Sequence, residues 1–361
     1  MVGSIERVNP ALKSPILGIS IEIRLEIIYV DTNRSVFPIS RYPMSKTYSK
    51  KIKYWLGDIL ANGLLTLSMF ILRFMSPKGL VSISKIMGMM AFYLIKKYRD
   101  RVLGNLSLAF QGEKDSKAIK KLAKEVFFNL TLTFLETAYA YLQPFEKFLL
   151  KIEIQGKEYL ESALAQRKGV IALGAHLGPF TLVGARLSLE GYSFNLIINE
   201  GNFPKLWKRI GDYQRRLGQK PFPPKPAISS IKKSMNSLRR NEILYLIADE
   251  QQILGGLPVP FFGQTAYTPP GPAIFSLRTG APILPMFIVR GKGIPRTLLI
   301  GCPIGIERTL DEKKDIELLT AKFTKVIEDM VREYPSQWPW LNRRWKLPYQ
   351  KGPLDMENQE V

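Results

Sequence analysis

The stretch Lys168-Gly-Val-Ile-Ala-Leu-Gly-Ala-His-Leu-Gly-Pro-Phe180 runs apolar from Gly169 to Ala175 and then meets a histidine, a glycine and a proline. A short apolar run without polar alternation is the pattern of a strand buried on both faces, as in a parallel sheet. His176 then stands at the strand's carboxyl end, and Leu177-Gly178-Pro179 opens a loop into a following helix. Ligands of open α/β sheets gather at that edge. An imidazole titrates near neutrality, so it can take a proton from an attacking hydroxyl and give it back. A lone histidine more often packs or faces solvent. The strand-edge placement argues for a base at His176, the only histidine in the chain.

Outward from this stretch the same texture repeats. Phe194–Asn199, Ile243–Ala248 and Ile283–Val289 are compact apolar runs that read as buried strands. Phe180–Glu190, Phe203–Leu217 and Ser229–Arg240 read as the intervening helices, with further helices over 115–142 and Asp311–Glu333. Such alternation predicts an α/β fold, a largely parallel sheet flanked by helices. An N-terminal membrane-anchoring helical region is expected ahead of it. Ile59–Leu72 is almost wholly apolar, and Gly79–Ile95 is a second apolar stretch with Lys85 in its middle. Both fall short of the roughly 20 residues that a perpendicular span needs, so a dipping anchor or a buried helical hairpin are the alternatives. The flanks Lys50, Lys51, Lys53 and Lys96, Lys97, Arg99, Arg101 favour the anchor, on the cytoplasmic side. The expected organisation is an irregular extension over 1–50, the anchor over 51–100, the α/β domain over 101–348 and a tail over 349–361.

Composition narrows the partners. Hydrophobic residues make up 46% of 361, which excludes a polytopic membrane protein. The formal net charge of +21 calls for an anionic partner: nucleic acid, acidic lipid headgroups or an acidic carrier protein. No zinc-ligand spacing, RNA-binding aromatic motif or basic heptad supports nucleic acid. The basic residues sit among apolar stretches, which suits an anionic membrane surface. Cys302 is the only cysteine, so no intrachain disulfide forms. At the Gly301-Cys302-Pro303 end of a strand, without a second histidine, it reads as structural, and a zinc site has too few ligands.

The stretch around His176 resembles the active-site block of the lysophospholipid acyltransferase superfamily, in its lipid A late-acyltransferase branch. Further blocks support the branch: Ala248-Asp-Glu-Gln-Gln, Val259-Pro-Phe-Phe-Gly-Gln-Thr-Ala, Thr268-Pro-Pro-Gly-Pro-Ala, and Arg278-Thr-Gly-Ala-Pro-Ile-Leu-Pro on to Arg290. Pro339-Trp-Leu-Asn-Arg-Arg-Trp-Lys346 and Arg99-Asp-Arg-Val-Leu-Gly-Asn-Leu-Ser-Leu-Ala-Phe110 complete a likeness that spans about residues 50 to 348. The resemblance implies a metal-free enzyme with an acyl thioester of acyl carrier protein or coenzyme A as co-substrate. The acceptor is a hydroxyl of a lipid A precursor, a related glycolipid or a lysophospholipid. The implied location is the cytoplasmic face of the bacterial inner membrane.

One departure matters. The family pattern places an acid five residues after the histidine, and here that position is Thr181. A hydroxyl can orient the ring but cannot offset an imidazolium's charge. Asp249, at the end of another strand, is the expected substitute, with Glu250 and Glu200 as other acids at strand ends. The alternative is a catalytically silent lipid-binding protein on the same fold. Thr181 and Asp249 also read as simple caps. Arg215 and Arg216 resemble a phosphate-binding stretch, or else form a solvated helix face. Phe261, Phe262 and Gly263 are expected to line the acyl or acceptor cleft, or to be hairpin core. Thr268 and Gly271 fall at the family's cleft-forming loop or at a helix start, and Arg290 is placed to meet a phosphate or carboxylate.

Met44 precedes the basic stretch Lys46–Lys53, and is expected to be the biological start. N-terminal sequencing of natively expressed protein is expected to begin at or just after it, and a terminus at residue 1 or 2 refutes this.

Overall fold

The five residues Val170–Gly174 form strand β2, every one of them buried. A computed structural model of the chain describes residues 74–140, 145–198, 204–291 and 296–345, with isolated positions between 63 and 72. All of these lie in the unit Ser49–Val361. The expected extension over 1–50, most of the first apolar stretch, Glu200 and the tail fall outside the described residues.

Around β2 stand β1 (Glu153–Gln155), β3 (Phe194–Ile197), β4 (Gln219–Phe222), β5 (Ile243–Ile247), β8 (Ile283–Arg290) and β9 (Arg296–Ile300), in the order β1-β9-β8-β2-β5-β3-β4. The contacts of β2 with β5 and β8, and of β3 with β4 and β5, are parallel. Strand β9 runs antiparallel to β8, and β1 follows β9. The sheet is therefore mostly parallel, with one reversed pair at an edge. Strand β4 forms the other edge, where Pro221 is tolerated because no further strand needs its missing N–H. A separate hairpin joins β6 (Leu257–Phe261) to β7 (Gln264–Thr268).

Side chains leave β2 alternately. Ile171 and Leu173 enter one core with Leu244, Phe287 and Phe323. Val170 and Ala172 enter the other with Leu187, Phe194 and Leu284. Helices cover both faces. On the first lie α9 (Gly271–Thr279) and α10 (Glu312–Glu333), and on the second α5 (Lys157–Ala165), α6 (Val183–Leu189) and α7 (Pro204–Arg216). Helix α8 (Ala227–Arg239) adds Leu238 to the first core. Burial of these apolar side chains supplies the main driving force for the layered fold.

Among the described residues, α1 (Pro77–Leu94), α2 (Lys96–Ala109), α3 (Ser116–Ala140) and the short α4 (Phe145–Leu149) precede the sheet. Helix α3 is shared, giving Ile119, Leu122 and Val126 to the first core and Leu132, Leu135 and Tyr139 to a third with Leu80 of α1. Gly88 lets α1 cross α3 closely, since a Cβ there would stand 2.7 Å from Phe128 Cα. Among the described residues no single helix is long and apolar enough to cross a membrane. Helices α1 and α2 meet that standard only together, bent by 93°. The outer side of α1 exposes Ile86, Met87, Met90 and Leu94.

A buried ion cluster ties α3 to the sheet. The Glu136 carboxylate, fully buried, receives Arg290 Nε at 3.1 Å and Arg296 Nε at 3.1 Å. Asn129 and Thr133, on the same helix, accept from Arg290 Nη1 and Nη2. Arg290 is thus committed to a carboxylate of the protein itself. Desolvation makes a half-broken cluster costly. Glu136→Gln is expected to lower unfolding stability by about 3–5 kcal/mol, the range for removing one member of a buried pair. Denaturant titration will show this, and a loss below about 1 kcal/mol would remove the cluster as a structural tie.

Candidate active site

The register of β2 on β5 builds the site. Gly174 lies opposite Ile247, and the Ala248 N–H donates to the Gly174 carbonyl at 3.2 Å, prolonging the ladder past both strands. Two residues beyond that pair, the register sets His176 against Asp249. The Asp249 carboxylate accepts the His176 main-chain N–H through Oδ2 at 2.9 Å and faces His176 Nδ1 through Oδ1 at 2.9 Å. An ionised carboxylate only accepts, so Nδ1 carries the proton and Nε2 is left toward the opening. Nε2 stands 3.8 Å from Glu250 Oε1, and Glu250 is well exposed. The imidazole retains 26% exposure while Asp249 has none. Phe180 meets the ring edge-on at 4.8 Å between centroids.

The loop carrying His176 is fixed by a glycine. Gly178 has φ +56°, and a Cβ there would stand 2.2 Å from the Ile288 carbonyl oxygen, so only glycine lets the loop lie on β8.

Burial pulls the His176 pKa down, but the charge and hydrogen bond of Asp249, with the charge of Glu250, outweigh it and raise the value from 6.5 to about 9. Burial pushes Asp249 the other way, and the His176 charge, its ring and main-chain donors and the Trp338 indole hold the carboxyl below its usual range. The pair is therefore imidazolium and carboxylate at neutral pH. Burial and the nearby Asp249 charge keep the Tyr245 hydroxyl protonated.

The other residues singled out by sequence scatter. The Thr181 hydroxyl bonds Thr137 Oγ1 at 2.7 Å, and since Thr137 already donates to the Thr133 carbonyl, Thr181 is the donor. It holds the short 3-10 turn Phe180–Leu182 to α3, and none of its described bonds reaches His176. Arg215 and Arg216 are exposed at the end of α7, where the chain enters β4. Gln219 of β4 aligns with Phe194 of β3, which aligns with Ile243 and so with Val170. Both arginines therefore sit at the amino edge, some six strand residues, or roughly 20 Å along the strand direction, from the level of His176. Arg215 pairs with Asp212. They lie on an exposed helix end, apart from His176.

Phe261 and Phe262 are buried among Trp338, Trp340, Trp345 and Phe110, which makes them core in place of a cleft lining. Phe262 and Gly263 both have positive φ, the two-residue turn that matches the twist of a hairpin. Thr268 is buried and its hydroxyl accepts from the Arg344 guanidinium. Gly271 opens α9, as the helix-start alternative has it, and a Cβ there would meet nothing within 4 Å. Cys302 lies two residues past β9 and is exposed, so it is not a packed structural residue.

Three residues at the site were not singled out by sequence. Trp338 donates its indole N–H to Asp249 Oδ2 at 2.7 Å. Gln337 bonds the Arg290 main chain twice. Arg344 donates to the carbonyls of Glu250 and Tyr267. The available signal was weak: a tryptophan one position before a recognised block, and the rule that a buried indole seeks an acceptor. Beside the dyad, Glu250, Gln251, Ile253, Asn342 and Arg343 line a cavity of about 250 Å³. A larger one of about 370 Å³, between Leu277, Arg308 and Asp315, lies at the amino edge and holds no dyad member. Among the described residues no group of three or more His, Cys, Asp or Glu converges to hold a metal ion.

Residues 44–347 match the bacterial lipid A biosynthesis acyltransferase family. The chain belongs to that family. Within this lipid A biosynthesis acyltransferase match lie His176, Asp249, Trp338 and Arg344. Among individual proteins, the chain is 26% identical over 199 residues to a phosphatidylinositol mannoside acyltransferase of Mycobacterium tuberculosis, covering 53% of this chain and 59% of that protein. The chain thus spans about three fifths of that relative. It is 24% identical over 270 residues to the lipid A biosynthesis lauroyltransferase of Escherichia coli, covering 72% and 83%. The palmitoleoyltransferase of the same organism is 23% identical over 265 residues, covering 72% and 82%.

His176 is the only histidine, so its ring signals in heteronuclear NMR need no assignment when the affinity tag contains none. They are expected to titrate near pH 9, and in Asp249→Asn below about 7, since burial then acts with only Glu250 opposing it. A folded-state pKa above the unfolded one stabilises fully below about 6.5, and that contribution is lost as pH rises through about 9. Unfolding free energy should fall across this window in the wild type and stay flat in the variant. A wild-type midpoint at 6.5 would break the argument.

Proposed function

We propose that the chain is an O-acyltransferase that moves a fatty acyl group from a thioester to a hydroxyl of a lipid A precursor or related glycolipid or lysophospholipid. The observation that carries this is the His176–Asp249 pair, with Nε2 left toward the opening at the carboxyl edge of a mostly parallel sheet. Family membership supports the reaction class, and the relatives' names pair acyl transfer with lipid A or phosphatidylinositol mannoside.

In the proposed chemistry, neutral His176 accepts the acceptor's hydroxyl proton at Nε2 as the oxygen attacks the thioester carbonyl carbon. The new C–O bond forms, the C–S bond breaks, and the imidazolium returns its proton to the departing thiolate. Asp249 stays ionised throughout, holding the tautomer and balancing the imidazolium. Thr181 motivated a silent reading because it removes the usual acid, and Asp249 supplies that carboxylate from the neighbouring strand. Acyl carrier protein and coenzyme A are both proposed donors, and the net charge of +21 suits either as an anionic partner.

The exposed apolar side of α1, with Lys78, Lys85, Lys96 and Lys97 close in sequence, supports docking on an anionic membrane surface. We place residues 51–100 in that role, residues 101–348 as the acyltransferase domain, and the protein at the cytoplasmic face of the inner membrane.

The test is acyl transfer by wild type and His176→Ala, using acyl carrier protein and coenzyme A thioesters with a panel of lipid hydroxyl acceptors. Loss of transfer in the variant by on the order of 10³-fold or more is expected. Because only neutral imidazole is a base, kcat/KM should climb about tenfold per pH unit toward 9. Equal rates in both proteins would remove His176 as the base.

A further inference from the structure

Trp338 lies far along the chain from the dyad, yet it is part of its geometry. Its indole is fully buried, stands edge-on to Trp340 at 4.8 Å and packs on Phe261 at 5.8 Å. Its N–H points at Asp249 Oδ2 over 2.7 Å. That oxygen also accepts the His176 main-chain N–H, so Oδ2 is taken and Oδ1 is left for the ring. The residue before it holds the other half of the pair. The Gln337 carbonyl accepts the Gly178 N–H at 3.0 Å, within the His176 loop. The Gln337 side chain clamps the Arg290 main chain at 2.9 and 2.8 Å. The segment itself is anchored from α2, where Asn105 donates to the carbonyls of Trp340 and Asn342 and Arg101 to that of Leu341. Two adjacent residues thus grip the loop of the base and the carboxylate of the acid.

We propose that Trp338 is a positioning residue for acyl transfer: its indole N–H fixes the Asp249 carboxylate so that one oxygen is reserved for His176 Nδ1, and it moderates how strongly that carboxylate holds the ring proton. This rests on the reading of His176 as base. The charged and titratable groups facing the pair are Asp249 itself, Glu250 beside Nε2, the Tyr245 hydroxyl beneath, and the Arg344 guanidinium, whose charge acts on Asp249. Beside these groups Trp338 adds a neutral side-chain donor aimed at the acid. A carboxylate stripped of one donor attracts an imidazolium proton more strongly, because hydrogen bonds to a charged acceptor partly satisfy its charge.

The experiment replaces position 338 in the full chain by Trp338→Phe and, separately, by β-(3-benzothienyl)alanine, which keeps the bicyclic shape and lacks the N–H. The His176 ring is followed by NMR across pH, with thermal unfolding and acyl transfer measured on the same samples. The expected result is a His176 pKa raised by about half to one unit in the benzothienyl protein, with the unfolding temperature near wild type. The kcat/KM profile should move to higher pH by the same amount, with the acceptor KM unchanged. A His176 pKa unmoved in the benzothienyl protein overturns the proposal, and this holds even where Trp338→Phe loses stability through its smaller ring. If the pKa moves and the wild type transfers acyl groups to no acceptor, the positioning geometry is supported and the catalytic reading falls.

Discussion

Strand β2 lies beside β5 with Gly174 opposite Ile247, and nearly everything at the site depends on that pairing. Parallel strands end at the same edge, so residues following each strand are brought side by side whatever their separation in sequence. Here the register places a histidine against an aspartate, and the ladder continues through Ala248 to make the approach firm. Shifting β5 by one residue would turn the carboxylate to the opposite face. Gly174 guards the register, since a Cβ there would stand 2.3 Å from the Tyr245 hydroxyl oxygen.

A carboxylate with no exposure must have its charge met within the protein, or it would take up a proton. Asp249 is met by an imidazole, a main-chain N–H and an indole. The donors come from β2's loop and from the segment after α10, and so the acid links two distant parts of the chain. The same requirement governs Glu136, whose carboxylate joins α3 to the ends of β8 and β9. One buried acid holds His176 and the other holds α3. Both gain specificity from geometry where apolar packing would tolerate alternatives.

Strands β2, β5 and β8 were legible because buried parallel strands must be apolar on both faces, and Val170–Gly174 and Ile283–Arg290 are. Strand β4 was not, since Gln219-Lys-Pro-Phe222 carries a charge and a proline that only an edge tolerates. His176 and Asp249 each announced a strand end, but adjacency of β2 and β5 is a property of the sheet and not of either segment. Arg215 and Arg216 were left between a phosphate site and a solvated helix face for the same reason: sequence shows a helix end near a strand without showing that the strand is entering and not leaving. Phe262 read as cleft lining or hairpin core, and the hairpin folds it inward against Trp340. Thr181 stands five residues after His176, yet its turn faces α3.

Trp338 follows Asp249 by 89 residues, which has a consequence for how the protein is made. A chain emerging from the ribosome presents α1 and its apolar side long before the indole that completes the acid's shell. Strands β8 and β9 and the 22 residues of α10 must be synthesised first. Domains tend to order from the amino end as they are translated. Asp249 therefore lacks one of its donors until late in synthesis, and a truncated product would carry His176 and Asp249 without the brace between them.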